Sequence, residues 1–396
     1  MTLAPLFTDI ADAIRFKKGT SAQIAASDFP QEILSIPTGS PTPPPITRKM
    51  PIITWLYRDT VTGEYKVTRT NVPKGGTASP PSDVGDVQEN KGTDGLYWNP
   101  ALTFEGWNHS STAMQNIQTD MCIGADYVPA DGWNYFYLRI NPKDGLTHMV
   151  FLSASGTLPG DPPVEITIDW MDGTPNYVGA GDTDNGISKT WSSYGIKTIR
   201  AKATSATGSL LVGGKTDTTG YLLNQMLFSL FLATRVHLRQ RSLVYITDIS
   251  IARNSQNLAA ALQTFGGTVT FYRILVIPLG ATILDEGGNY TIQHLSLPST
   301  LTQIRYTSFQ SCYSLDTITF PATLATLAAG VFMYPYGFKN LIFLRATPPS
   351  ITSTTFQYMR NYTRIYVPDA NVNAYKTATN WTAYATQIFP LSELIA

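Results

Sequence analysis

Four aspartates, Asp169, Asp172, Asp182 and Asp184, crowd into the stretch DWMDGTPNYVGAGDTDNG, and gathered carboxylates are what a calcium ion takes as ligands. The spacing does not suit a helix–loop–helix calcium loop. Counted from Asp182, Gly186 comes one place early, and no glutamate closes the loop. Turn-forming aspartates explain the same pattern. The histidines His109, His148, His237 and His294 are scattered, and no Cys/His spacing fits a zinc site. Cys122 and Cys312 stand far apart in segments assigned below to different domains, so they read as two small buried residues rather than a disulfide. No G-x-S-x-G, Walker A or dinucleotide fingerprint occurs. Paired carboxylates for glycoside cleavage can come from distant strands, but nothing singles out such a pair. The expectation is a chain without catalytic residues, metal or cofactor.

Binding is the chemistry the residue types favour. The chain holds 21 tyrosines and 7 tryptophans, while only 14% of it is charged. A tyrosine ring is rigid and amphipathic, and so makes contacts at small entropic cost. Arg305, Tyr306, Tyr313, Tyr334, Tyr336, Tyr358 and Arg360 lie near the turns of a repeated segment and are the candidate receptor contacts. Packing and solubility are the plainer explanation for any one of them. Lys+Arg and Asp+Glu are 28 each, so no basic excess draws the chain to nucleic acid.

These candidates need a scaffold, and the sequence repeats to make one. Between Leu297 and Phe343 a phrase is said twice at a step of 23: Pro298 recurs as Pro321, Leu301 as Leu324, Phe309 as Phe332 and Phe320 as Phe343. A further unit follows at a step of 24, Phe332 to Phe356. An earlier, degenerate unit precedes at a step of 20, Ile277-Pro278 to Leu297-Pro298. Such periods with recurrent Leu, Ile and Phe predict a stacked solenoid, because one unit cannot bury its own apolar edge.

Upstream, alternation in Val164, Ile166, Ile168 and Trp170 predicts a half-buried strand, with MDGT as a tight turn and YGIKTIRAKA as a second strand. Residues 50–128 read as strands with turns, including IITWLYRD and GEYKVTRTNV around TVTG. Helical spacing is convincing only over residues 3–36, where Leu6, Ile10 and Ile14 form a stripe and Gly19 ends the first helix. A second short helix starts at Asp28 and carries Ile33 and Ile36. PTGSPTPPPITRK, residues 37–49, is a semi-rigid linker. No apolar run reaches the ~20 residues of a bilayer span. Asp9 and Asp12 interrupt the N-terminus as a signal peptide.

The N-terminal residues Ile10, Ala11, Asp12, Ala13, Ile14, Arg15, Lys17, Gly19, Thr20, Phe29, Ile33 and Ile36 resemble a helical motif of phage and prophage tail and baseplate proteins. Gly76 to Pro80 or Pro81, Phe104-Glu105-Gly106-Trp107 and Ile123 to Tyr127 resemble the β-grasp-like repeat of internalin-type proteins. Trp170, Asp172, Gly173 and Thr174, then Trp191, Gly195, Ile196 and Ile199, resemble PKD-type sandwiches; Met171 and Trp191 depart from that pattern. The repeats resemble BspA-like leucine-rich repeats, and Ile365–Glu393 resembles the capping segment of such arrays, with a helix over about Val372–Thr386.

Together these imply a mainly β, multidomain chain. The expected parts are a helical attachment head (1–36), the linker (37–49), a β-grasp-like module (50–128), a PKD-like sandwich (129–204) and a leucine-rich-repeat solenoid with a helical cap (205–396). The head resemblance implies a non-enzymatic tail-tip or baseplate component of the virion, a tail fibre or receptor-binding protein. Its head would dock on other tail or baseplate proteins through Ile10, Ile14, Arg15, Phe29 and Ile33. Its repeats would bind a host-surface glycan or protein. Such fibres are homo-oligomers, usually trimers, and neither nucleic acid nor membrane insertion is expected. The alternatives are a bacterial surface adhesin built of the same modules, which needs an export signal and wall anchor, or a glycan-cleaving tailspike.

Overall fold

Alternation sets the first sheet. In β1 (Ile52–Arg58), Ile53, Trp55 and Tyr57 turn to one face and are buried together. The turn to β2 (Tyr65–Asn71) is tied by Asp59, whose Oδ1 accepts from the Val61 and Thr62 amides, and Gly63 takes φ 74°. β3 (Asn90–Lys91) and β4 (Trp98–Asn99) form a small hairpin. β5 (Leu102–Trp107) and β6 (Met121–Pro129) complete a sheet of order β2-β1-β6-β5, with β1 and β6 parallel at its centre. Trp107 packs edge-on against Trp55 at 4.8 Å and Phe104 at 5.9 Å.

The computed structural model describes residues 50–394 apart from 92–97, 141, 143–144, 156–162, 205–208, 213–226, 234–235, 239–247, 252–272, 285–291, 306–308, 310–311 and 335–336. The expected head, with Ile10, Ile14, Arg15, Phe29 and Ile33, and the linker 37–49 lie outside the described residues. Residues 50–391 make one compact unit.

A two-sheet sandwich follows. Its strands are β7 (Asn134–Ile140), β8 (Thr147–Ser155), β9 (Pro163–Val164), β10 (Ile166–Asp169), β11 (Tyr177–Gly179), β12 (Gly181–Thr190), β13 (Gly195–Ala203), β14 (Ser209–Val212), β15 (Leu227–Leu232), β16 (Val236–Leu238) and β17 (Asp248–Ile251). One sheet has the order β11-β10-β13-β7-β15-β17; the other has β12-β8-β14-β16, with β9 on β8. The alternation in β10 is realised: Ile166, Ile168 and Trp170 are buried, and Gly173 takes φ 81° in the turn beyond. Strands beyond residue 204 also join these sheets. β14 to β17 complete both sheets, because β7 and β8 each need a partner on a second edge, and β15 and β14 supply it.

The strand β7 serves two cores. Phe136, Leu138 and Ile140 enter the sandwich core, while Tyr135 and Tyr137 enter the core of the first sheet. That is why NYFYLRI is apolar on both faces.

The repeats form coils with parallel ladders on two sides. On one side β18 (Ile274–Val276) pairs with β20 (His294–Ser296), and a separate four-stranded ladder runs β22 (Thr317–Phe320), β24 (Asn340–Phe343), β25 (Arg364–Val367) and β26 (Ile388–Pro390). Along the other lie β19 (Ile283–Leu284), β21 (Gln303–Ile304) and β23 (Thr326–Leu327). Leu301, Ile304, Leu324 and Leu327 turn inward and are buried. Phe320 stacks on Phe343 at 4.5 Å, and Phe332 lies between Phe309 (5.3 Å) and Phe356 (5.4 Å), so the step of the sequence becomes a ladder of rings. The helix expected over Val372–Thr386 is shorter, Val372–Thr377. Asn380 takes φ 65°, and Trp381 turns inward with its Nε1 donating to Pro349 O at 2.9 Å. A 3-10 turn (Thr382–Gln387) then returns the chain to the ladder as β26, its last strand among the described residues.

β6 is also buried on both faces. Met121, Ile123, Ala125 and Tyr127 pack in their own core, while Gly124 and Asp126 face the solenoid. A Cβ on Gly124 would overlap the Val276 side chain. Asp126 Oδ2 accepts from the Leu279 amide at 3.0 Å, and Thr319 Oγ1 donates to Asp120 O at 2.9 Å. Asn108, fully buried, donates to Ile277 O (2.8 Å) and accepts from the Gly124 amide (3.0 Å). The first sheet thus covers the outer strand face of the early coils and fixes the solenoid's orientation within the unit.

Candidate functional site

The phenylalanine ladder continues outward as a tyrosine pair. Tyr334 and Tyr358 follow Phe332 and Phe356 by the same two positions, and their rings stack in parallel, 4.6 Å apart with 5° between planes. Both residues have left-handed backbone, φ 56° and 64°. Glycine or asparagine adopts that conformation readily, whereas tyrosine costs about 1–2 kcal/mol there. The turn after each phenylalanine imposes it: Tyr334 N–H donates to Gln357 O at 3.1 Å, and Met359 N–H donates to Phe356 O at 3.0 Å. Of the two, Tyr358 is 55% exposed and Tyr334 half-buried.

The loop beyond Tyr358 is held firmly. Gln387 Nε2 donates to Arg360 O and to Thr363 O, both at 2.9 Å, and buried Thr363 donates through Oγ1 to Phe338 O at 2.9 Å. Inside, Tyr384 packs edge-on against Phe356 at 5.4 Å, and burial raises its phenol pKa. Outside, Arg360, Asn361 and Tyr362 are exposed.

Of the residues singled out from sequence, Tyr334 and Tyr358 come into contact, and Arg360 lies on the same edge loop as Tyr358. Tyr313 is 52% exposed; Gly337, which packs where a Cβ would strike the Tyr313 backbone, belongs to the following coil. Arg305 is half-buried just after β21, its amide bonded to Leu284 O at 2.8 Å. Tyr306 and Tyr336 lie outside the described residues. Tyr362, 60% exposed, was missed, because it falls past the recurring positions that drew attention to the others. Gln387 was missed as well; a glutamine bonding two carbonyls leaves no mark on periodicity.

The acidic stretch is engaged otherwise. Asp169 Oδ2 accepts from Arg200 Nε at 2.9 Å. Asp172 pairs with Lys189 at 2.8 Å, and Lys189 sits over the rings of Trp170 (5.1 Å) and Trp191 (5.3 Å). Burial acts to raise the Asp172 pKa, but the Lys189 and Thr174 hydrogen bonds outweigh it and the carboxyl ends below its ordinary range. The side chain of Asp184 lies outside the described residues. Among the described residues, no group of three or more His, Cys, Asp or Glu is placed to hold a metal ion. Cys122 and Cys312 are separate free thiols; Cys312 is buried as expected, whereas Cys122 is half-buried, and desolvation of its thiol pushes it up to about 12.

No curated protein matches the chain. Residues 288–385 match a family described as BspA type leucine-rich repeat region, in six copies. The C-terminal part of this chain therefore carries a BspA-type leucine-rich repeat region.

Proposed function

We infer that this chain is a non-enzymatic structural and host-recognition component of a phage tail tip or baseplate, a tail fibre or receptor-binding protein located in the virion. The reading rests on one observation above all: Tyr358, 55% exposed, stacks in parallel on half-buried Tyr334, both on left-handed backbone. The stack joins neighbouring coils, and it leaves a large aromatic surface open on Tyr358 that a ligand can use. The pattern from Ile10 to Ile36 supports docking on other tail or baseplate proteins through residues 1–36. In this reading the β-grasp-like and PKD-like modules hold the repeats in place, and the repeats contact a host glycan or protein. The assembled form is a homo-oligomer, with a trimer favoured.

The second reading, a bacterial surface adhesin, is favoured by the same exposed edge on BspA-type repeats. The two separate in one experiment. The gene is deleted from the phage or prophage genome that carries it, and the particles are purified and tested for adsorption. Particles that normally contain the chain and adsorb poorly without it support the virion reading. A chain found on intact cells, and missing from particles, overturns it. Release of reducing sugar from host polysaccharide by the purified chain would instead establish a tailspike.

A further inference from the structure

We propose that the Tyr334–Tyr358 edge recognises a glycan, by seating the C–H face of a pyranose ring on the open face of Tyr358. The proposal rests on the recognition reading above and names its ligand class. Tyr334 covers one face of the Tyr358 ring at 4.6 Å, yet Tyr358 remains 55% exposed. With one face covered, that exposure is best accounted for by the other face. An aromatic face carries partial negative charge and attracts the weakly positive C–H groups along one side of a sugar ring.

The surroundings suit a sugar better than a protein. Stable protein interfaces bury roughly 1,600 Å² around an apolar centre. Among the described residues of the repeats, the exposed large apolar side chains are only Tyr313, Tyr358 and Tyr362. The exposed loop that follows Tyr358 carries Arg360 and Asn361, residue types that hydrogen-bond sugar hydroxyls. Gln387 and Thr363 hold this loop before any ligand arrives, so little ordering cost falls on binding. A single ring on a single face binds weakly, and several copies of the edge on one particle would multiply the attachment.

The test uses the full-length chain. Wild type, Tyr358→Phe, Tyr358→Asn and Tyr334→Asn are applied to a printed panel of neutral hexose and N-acetylhexosamine oligosaccharides. They are also applied to host cells left intact, oxidised with periodate, or treated with protease. The expected result is panel and cell binding by wild type and Tyr358→Phe, abolished on periodate-treated cells and kept after protease. Tyr358→Asn should bind at least tenfold more weakly while melting no earlier than wild type, since asparagine accepts the backbone conformation. Cell binding that survives periodate and is lost to protease overturns the glycan and leaves recognition standing. Wild-type affinity in both asparagine variants overturns the edge as the site. A wild-type chain that binds neither cells nor panel overturns the recognition reading itself.

Discussion

Asn108 Nδ2 donates to Ser296 Oγ at 2.9 Å in a site closed to solvent, joining residues from the first sheet and the second coil. The same amide group reaches Ile277 O, and its Oδ1 receives the Gly124 amide and His109 Nδ1. Asn108→Ala would leave several of these groups buried and unpaired. The expected loss is about 2–4 kcal/mol of stability, read from urea denaturation. Asn108→Asp should be no better, because a carboxylate cannot donate to the Ile277 carbonyl. A loss below half a kilocalorie in both variants would show that the docking is not held there.

Gly124→Ala places a methyl against Val276 where the two sheets meet. The cost should be about 1–3 kcal/mol. Adding Val276→Ala should recover part of it, a coupling that a double-mutant cycle measures directly. Strict additivity would mean that the clash is relieved elsewhere.

The docking should also be sensitive to acid. Burial holds His109 at about 4, below its ordinary 6.5. Above pH 6.5 the ring is neutral whether the chain is folded or not, and it contributes nothing to the pH dependence. As pH falls from 6.5 towards 4, the unfolded chain binds a proton that the folded chain refuses. Stability should therefore drop by about 1.4 kcal/mol per pH unit, or about 3 kcal/mol in all. His294 is shifted down too, by burial first and then by Arg69, against the opposing pull of Asp316, and so acts in the same direction. Thermal melts of wild type and His109→Asn between pH 7 and 4 test this; the variant should show the shallower slope.

Phe332 is the central rung of the solenoid, stacked on Phe309 and Phe356 and met edge-on by Phe320 and Phe338. Phe332→Ala should cost about 3–5 kcal/mol. Because each coil leans on its neighbours, hydrogen exchange should rise in the coils on both sides of the cavity. Protection lost in one coil alone would contradict a shared core.

The sequence step revealed the repeats because a stacked coil must place like residues above like, and Phe309, Phe332 and Phe356 do stack. Alternation revealed β10 for a similar reason. It could not reveal what lies opposite Gly124 and Asp126, since a strand face turned to a second module looks, in sequence, like one turned to water. Asn108 reads as a loop residue in WNHS, and only the fold carries it to Ser296. Helix-forming residues in VNAYKTATNWTAYATQ suggested one long helix; the pull of Trp381 into the core and the left-handed Asn380 broke it. Among the edge residues, tyrosine identity was plain from sequence. Their strained backbone was not, because tyrosine is not the residue type that announces it.

The strand Asn134–Ile140 gives alternate side chains to two cores, and this bears on how such a chain can vary. A genetic crossover within it would set Tyr135 and Tyr137 against one foreign core, or Phe136 and Leu138 against the other. Neither sheet can be traded singly. Diversification would then proceed by point changes on the outer turns, at residues such as Tyr358, Arg360 and Tyr362, while the body beneath them is inherited as a block.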